Sequence, residues 1–202
     1  MSARSMFAAF AALLVATPAV LRAQDAEADF VKARQQFVAG QPRAAAQTAL
    51  IASLHIRNQY GRCRDEDVGT RLLEAEGKLE KLAAALRAGT VGNVKVLDQS
   101  LMQIDRILAE HHLQLAKAAM VRPRPEQIPV VAQDIDRGAY HFERSVTLDG
   151  HALAAEQATA VANARALVKT IDETKAIPQG ATDVVSALER LVSAKSAVAA
   201  TP

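Results

Sequence analysis

The sequence predicts an all-α protein, built as a bundle of about seven helices arranged as antiparallel hairpins. Apolar residues recur at helical spacing along almost the whole chain, and no long segment alternates with the period of a strand. Strong helix formers dominate, since Ala alone supplies 43 of the 202 residues. Glycine and proline fall in a few short clusters, which divide the chain into segments of helical length.

The N-terminal segment has the layout of a secretory signal peptide. Arg4 precedes an apolar run over residues 6–15, and Ala23 supplies the small residue that signal peptidase requires. The alternative is an uncleaved anchor, but the run is shorter than the roughly 20 residues of a spanning helix. We expect residues 1–23 to be removed and residues 24–202 to form a single exported all-helical domain. In a Gram-negative cell its destination is the periplasm, and the extracellular space is the alternative.

The charge balance argues against a nucleic-acid partner. The chain carries 24 Lys and Arg against 22 Asp and Glu, and removal of the leader takes Arg4 and Arg22, which leaves 22 against 22. Two Tyr, five Phe and no Trp provide few surfaces on which bases can stack. No later segment approaches the roughly 18 consecutive apolar residues of a transmembrane helix, so we expect none in the mature chain.

Breakers and end residues define the first four helices. Gly40 and Pro42 separate the first helix from the second. Asp65 is the expected N-cap of the third helix, and Gly89 is expected to end it in a left-handed conformation. Asn93 is the expected N-cap of the fourth helix. These boundaries predict helices over residues 27–39, 43–60, 66–88 and 93–121.

Three further clusters of breakers define the remaining helices. Three prolines between positions 123 and 129 interrupt the chain after the fourth helix, and Asp149 with Gly150 forms the next turn. Residues 178–180 form the last turn, after which Thr182 is a candidate N-cap. These boundaries predict helices over residues 127–147, 151–175 and 182–199.

Apolar stripes indicate which faces of the two longest central helices are buried. In the third helix the predicted core face consists of Leu72, Leu79, Ala83 and Leu86, with Leu73, Glu76 and Leu82 on its flanks. In the fourth helix the core face consists of Val94, Leu97, Leu101, Ile104, Leu108 and Leu115. Many other contact positions are Ala, so we expect the helix axes to approach closely.

The order of the helices predicts an internal duplication of a unit of about 85 residues. The two halves of the chain align in four blocks, and the offset between them changes only at turns. The alternative is that any two Ala-rich amphipathic helices align after sliding. We expect repeat halves over residues 27–110 and 111–199, with His55 and His141 at matching positions.

The first two helices resemble a tetratricopeptide helix pair. Ala33, Gly40, Ala45 and Ala52 stand where that family places small residues. The resemblance covers less than a fifth of the chain, and no 34-residue repeat follows. It implies closely packed antiparallel helices and nothing about activity.

Two adjacent histidines are the candidate metal ligands. His111 and His112 lie in the fourth helix, and a hairpin about Pro123 brings Asp134 or Asp136 level with them. Imidazole and carboxylate groups are common metal ligands. Adjacent side chains point about 100° apart on a helix, so the two histidines do not easily bind one ion. The alternative is a set of surface histidines paired with carboxylates.

Cys63 is the one cysteine of the chain and a candidate free thiol. Arg62, Arg64 and the start of the third helix favour its thiolate form. The alternative is a loop cysteine without a role, since the acidic residues that follow it partly offset the effect of the two arginines. Because no Cys-x-x-Cys pair is present, thioredoxin-like redox chemistry and covalent haem attachment are excluded.

The turn around Pro123 is rigid and basic. Arg122 and Arg124 flank the proline, and Pro125 follows. Such a turn suits contact with anionic lipid, with peptidoglycan carboxylates or with an acidic partner. The alternative is a stiff connector whose arginines stabilise the C-terminal end of the fourth helix.

The sequence contains no catalytic grouping that names a reaction. Nucleophile-elbow, phosphate-loop, dinucleotide and zinc-helix patterns are all missing. We therefore expect a non-enzymatic exported protein, without a cofactor, that binds another protein or itself through an Ala-rich groove or helix face. The alternative is a bundle that binds a small ligand or a metal ion through His111, His112 and Asp134.

Overall fold

A computed structural model describes residues 26–63 and 65–198. Within these ranges the chain forms seven α-helices, one short 3-10 helix and no strand, which confirms the predicted all-α class. The 3-10 helix spans Pro125–Gln127. The α-helices are α1 (Ala26–Val38), α2 (Pro42–Tyr60), α3 (Glu66–Ala88), α4 (Val94–Met120), α5 (Ile128–Leu148), α6 (Ala155–Thr174) and α7 (Ala181–Val198).

Two predictions concern export and the membrane. The proposed signal peptide, residues 1–23, lies outside the described residues. In the described ranges, no helix combines the length and the apolar character that crossing a membrane requires.

Three helix ends have the chemistry that the sequence predicts. At the start of α3, Oδ1 of Asp65 accepts a hydrogen bond from the backbone N–H of Val68 at 3.0 Å. At the start of α4, Oδ1 of Asn93 accepts one from the backbone N–H of Val96 at 3.2 Å. Gly89 follows α3 with a φ of 70°, a conformation that glycine adopts without strain. These local signals therefore set the ends of the helices.

Six of the seven described helices begin at a residue other than the predicted one, five of them by a single position and α6 by four. α6 begins at Ala155, four residues later than expected, because Ala154 is extended. The backbone N–H of Ala154 donates to Oε1 of Gln157 at 3.0 Å, so a side chain inside the first turn defines this helix start. α7 begins at Ala181, so Thr182 lies inside its first turn and is not its N-cap.

The buried apolar residues form two cores that share α4. The first core lies between α1, α2, α3 and the first half of α4, and the second lies between the other half of α4 and helices α5, α6 and α7. Leu108 belongs to the first core and Ala109 to the second. With 27 residues, α4 is the longest described helix, and it contacts α1, α3, α5 and α7.

The predicted core faces are largely buried, and the second half of α4 differs most from the prediction. In α3 the four stripe residues are fully buried, whereas Leu73 is exposed. In α4, Leu97 to Leu108 follow the prediction, but Val94 and Leu115 are half-buried and Leu113 is fully buried instead. Beyond Leu108 the helix packs in the second core, and Leu113 lies on the face that packs there.

Helices α4 and α5 pack closely at Gly138. A Cβ atom at this position would lie 2.7 Å from Cγ and Cδ2 of Leu113 and 3.3 Å from the carbonyl oxygen of Ala109. Leu113 is fully buried, so its side chain has little space into which it can move. The missing side chain at Gly138 therefore lets α5 approach the middle of α4.

Candidate functional site

The middle of α4 is buried on nearly every side, and it carries charged residues there. Burial of a charged group is costly unless the group is paired and hydrogen-bonded, so the partner of each group matters. We call the following set the buried polar cluster. Its members are the buried Asp105, Glu110, His111 and His112 of α4 and Asp134 and His141 of α5, together with the half-buried Glu27 of α1 and the exposed Arg62 of the α2–α3 turn.

His141 is held between two carboxylates. Its Nδ1 lies 2.8 Å from Oδ1 of Asp105, and its Nε2 lies 3.1 Å from Oε1 of Glu27. Oδ2 of Asp105 is also 3.4 Å from Nε of Arg144. Burial by itself lowers the pKa of His141, but the contacts with Asp105 and Glu27 outweigh it and raise the pKa above its ordinary value. These two contacts therefore favour the protonated form of His141, which joins α1, α4 and α5.

His112 shares a carboxylate with an arginine. Its Nδ1 lies 2.8 Å from Oδ1 of Asp134, and Oδ2 of Asp134 lies 3.6 Å from Nη2 of Arg62. Complete burial lowers the pKa of His112, the hydrogen bond to Asp134 opposes this shift, and the charge on His141 adds to it. His112 is therefore neutral and donates its Nδ1 proton to Asp134.

Glu110 connects the cluster to α3. Both of its carboxylate oxygens accept hydrogen bonds from Arg71, from Nη1 at 2.7 Å and from Nη2 at 2.9 Å. Two parallel bonds between a guanidinium and a carboxylate fix orientation as well as position. The carboxylates of the cluster thus connect α1, α3, α4, α5 and the α2–α3 turn.

His111 differs from the other two cluster histidines because Nε2 of its ring is buried without a hydrogen-bond partner among the described residues. Its side chain is 1% exposed, and its ring lies 5.4 Å from the ring of His112 at an angle of 57°. Burial lowers the pKa of His111 to about 3. His111 is therefore a neutral imidazole with one unused nitrogen.

Cys63 and His111 line the same cavity, which has a volume of about 340 Å³. Cys63 is half-buried, and its Sγ lies 3.1 Å from the carbonyl oxygen of Asp65, to which the thiol donates. Elsewhere in the cavity wall, Nζ of Lys117 pairs with Oε2 of Glu189 at 2.5 Å. The ion pair satisfies both of those charges, and the other polar residues of the wall are Cys63, Asp65, His111 and Gln114.

A larger groove of about 1090 Å³ lies beside this cavity and shares Cys63 with it. Arg62, Arg122 and Arg124 line the groove, together with Asp134. Arg122 and Arg124 are exposed, and in the described part of the chain neither has an acidic partner. The apolar part of the wall consists of Leu115, Ala118, Ala119, Val121, Pro123 and Val130. The groove is therefore basic and amphipathic.

The structure brings together some of the residues that the sequence singled out. His112 and Asp134 are in contact, whereas Asp136 is exposed on another face of α5. The ring of His111 lies 5.4 Å from that of His112, and His111 lines the same cavity as Cys63. Within the described ranges, no three His, Cys, Asp or Glu side chains are arranged to hold a metal ion. A metal site formed by His111, His112 and Asp134 stays a prediction.

Sequence reasoning missed Asp105 and Glu27 as partners of His141. A signal for Asp105 was present, because this acid follows directly on Ile104 in the core stripe of α4. Glu27 had no comparable signal, since it is 114 positions before His141 and meets it only through packing. His55, the residue predicted to match His141, also contacts an α1 carboxylate, with its Nδ1 3.0 Å from Oδ2 of Asp29.

Comparison of the chain with protein-family models, with curated proteins and with solved structures finds no match. The fold and the site together define an all-α bundle with a buried histidine–carboxylate cluster beneath a basic groove.

Proposed function

We propose that the protein is a non-enzymatic binding protein of the cell envelope, which holds an acidic segment of another protein in the groove lined by Arg62, Arg122 and Arg124. One observation carries this proposal. Two of these three guanidinium groups have no acidic partner among the described residues, although they line a groove of about 1090 Å³. Guanidinium groups bind carboxylates in pairs of parallel hydrogen bonds, which suits a peptide rich in Asp and Glu.

The backbone of the groove supports binding at a low entropic cost. Pro123 and Pro125 fix two φ angles in the turn that carries Arg122 and Arg124. On the opposite side, Arg62 is held by Asp134 and by Oε1 of Gln59, which accepts from its Nη1 at 3.2 Å. A site that is ordered before binding loses less conformational freedom on association.

The buried polar cluster supports a structural role rather than catalysis. His141 and His112 each contact a carboxylate within the bundle, and their side chains are at most 3% exposed. A general acid or base must come within hydrogen-bond reach of its substrate, which burial to this degree prevents. In this proposal the cluster holds α4, α5 and the α2–α3 turn at a fixed spacing, and so defines the walls of the groove.

The proposal includes export to the periplasm and an internal duplication. The signal-peptide layout of residues 1–23 supports export. The presence of two cores, divided between Leu108 and Ala109, supports repeat halves over residues 27–110 and 111–199, each contributing helical hairpins. On this interpretation α4 belongs to both halves.

Charge reversal in the groove tests the proposal. Tagged protein is used to capture partners from an envelope extract at low salt, and the double variant Arg122→Glu, Arg124→Glu is compared with the wild type. The matched control reverses Arg43 and Arg87, which are exposed on other helices and do not line the groove. We expect the groove variant to lose an acidic partner that the control retains.

Analytical ultracentrifugation of the same three proteins then distinguishes a partner from a second copy of this chain. A partner that both variants retain equally would show that the groove is not the binding site. A wild type that binds no protein and stays monomeric would contradict the proposed function as a whole.

A further inference from the structure

We propose that the cavity between the α2–α3 turn and α4 binds one soft monovalent metal ion, Cu(I), between Sγ of Cys63 and Nε2 of His111. The cavity shares Cys63 with the arginine groove, but ion binding here does not depend on the proposed binding of an acidic partner.

The unused nitrogen of His111 is the first observation. A buried polar atom without a hydrogen bond is destabilising, and such atoms are uncommon unless a ligand or an ion takes them up. In the same cluster His141 uses both of its ring nitrogens and His112 uses Nδ1 for Asp134. The orphaned Nε2 of His111 is thus a lone-pair donor that the described residues leave without a partner.

The second observation is the thiol in the wall of the same cavity. Cys63 lies in the short turn between α2 and α3, where it is half-buried. Its present hydrogen bond, to the carbonyl oxygen of Asp65 at 3.1 Å, is a weak one that a metal bond replaces readily. Thiolate and imidazole together are soft and borderline ligands, a set that favours Cu(I) over hard cations.

Charge and ligand number select a monovalent ion. Cu(I) with one thiolate and one neutral imidazole forms a complex without net charge, which is the form that a buried site accepts at least cost. Zn²⁺ with the same two ligands keeps a positive charge and requires about two further ligands. Cu(I) accepts two ligands, and Cys63 and His111 are the thiol and the imidazole that line this cavity.

The protonation state of His111 is compatible with this role. A metal binds the neutral imidazole, so a ligand histidine must be deprotonated. Burial lowers the pKa of His111 to about 3, so the ring is neutral throughout the physiological range. Lys117 already pairs with Glu189 in the cavity wall, which reduces its repulsion of an incoming cation.

The binding step involves proton exchange and no redox change. The S–H bond of Cys63 breaks, an S–Cu bond and an N–Cu bond form, and the thiol proton passes to solvent. Copper is Cu(I) before and after, so the step needs no oxidant or reductant. Binding of the ion to the thiol form therefore releases one proton.

The test is an anaerobic titration of the purified protein with Cu(I) in competition with a coloured Cu(I) chelator. We expect one ion per chain, one released proton and an X-ray absorption spectrum with one sulfur and one nitrogen ligand. Cys63→Ser and His111→Gln should each weaken binding more than the roughly 10- to 100-fold that loss of an outer-shell partner causes. The control is His151→Gln, whose side chain is 68% exposed in another turn.

Two results would overturn the proposal. If His111→Gln remains folded by circular dichroism and binds Cu(I) as tightly as the wild type, the ion binds the thiol alone. If Cys63→Ser, a substitution in a turn, leaves affinity unchanged, the ion binds elsewhere. Because the serine variant does not alter a helix, the proposal can be judged even if the His111 variant fails to fold.

Discussion

The imidazole rings of His112 and His141 stack 5.8 Å apart at an interplanar angle of 4°, yet their pKa values shift in opposite directions. The difference arises from their partners. His141 lies between two carboxylates, whereas His112 has one carboxylate, which it shares with Arg62. These partners favour one positive charge in the stack rather than two, and this arrangement leads to the first prediction.

Nuclear magnetic resonance of ¹⁵N-labelled imidazoles should show two different ring states at pH 7. We expect His141 to be an imidazolium, and His112 to be neutral with its proton on Nδ1, because Asp134 accepts from that atom. The contacts of protonated His141 stabilise the folded state fully below about pH 6.5, the pKa of this histidine in the unfolded chain. This stabilisation is lost as the pH rises through the higher pKa of His141 in the folded state. Two neutral rings at pH 7 would contradict the carboxylate clamp on His141.

The free energy of unfolding should fall as pH falls from about 6 to about 4. His111 keeps a pKa of about 3 in the folded state, whereas in the unfolded chain it takes up a proton near its model value of 6.5. Below pH 6.5 the unfolded state therefore binds more protons, and His111 contributes a slope of up to about 1.4 kcal/mol per pH unit. Urea unfolding at a series of pH values measures this slope.

The variant His111→Gln provides the comparison for that experiment. Glutamine does not titrate, so the slope between pH 6 and 4 should be smaller than in the wild type by about the contribution of one histidine. Since His112 also has a lowered pKa, part of the slope should remain. An identical slope in both proteins would show that His111 is not buried in its neutral form.

Asp105→Asn should destabilise the protein by about 3–5 kcal/mol at neutral pH, because it leaves the buried charge of His141 with Glu27 alone. The matched control is Asp98→Asn. Asp98 accepts two hydrogen bonds from Arg34, but the side chain of that arginine is 42% exposed, so a loss near 1 kcal/mol is expected. Chemical denaturation measures both losses, and equal values would contradict the burial argument.

Gly138→Ala should be destabilising although alanine is the better helix former. The new Cβ would lie 2.7 Å from two side-chain carbons of Leu113, and overpacking of this kind costs about 1–3 kcal/mol. Gly77 of α3 is the matched control, because a Cβ there has no neighbour within 4 Å. Gly77→Ala should stabilise by up to about 1 kcal/mol in thermal or urea unfolding. If both substitutions stabilised the protein, or both destabilised it, the result would contradict the close approach of α4 and α5.

Local chemistry was predictable from the sequence, and long-range pairing was not. Asp65, Asn93 and Gly89 act within one turn of their own positions, so residue type and spacing were sufficient to place them. The predicted start of α6 was wrong because no glycine or proline marks it. The start is set instead by a hydrogen bond from the backbone N–H of Ala154 to the side chain of Gln157.

The candidate site shows the same division. A hairpin about Pro123 was sufficient to bring Asp134 beside His112. The contact between His141 and Glu27 requires α1 to lie beside α5 in the folded protein, and no local sequence pattern predicts that contact. The separation of His111 from its neighbour followed from the angle between adjacent residues on a helix, but the cavity that His111 shares with Cys63 required the packed structure.

The sharing of α4 by two cores has a consequence for how the chain folds and how it can be divided. A fragment that ends before α4 lacks one wall of its core, and a fragment that begins after α4 lacks the corresponding wall of the other. Neither fragment is a complete folding unit, so the two halves should unfold in a single cooperative transition. If the halves arose by duplication, the common helix has made them inseparable.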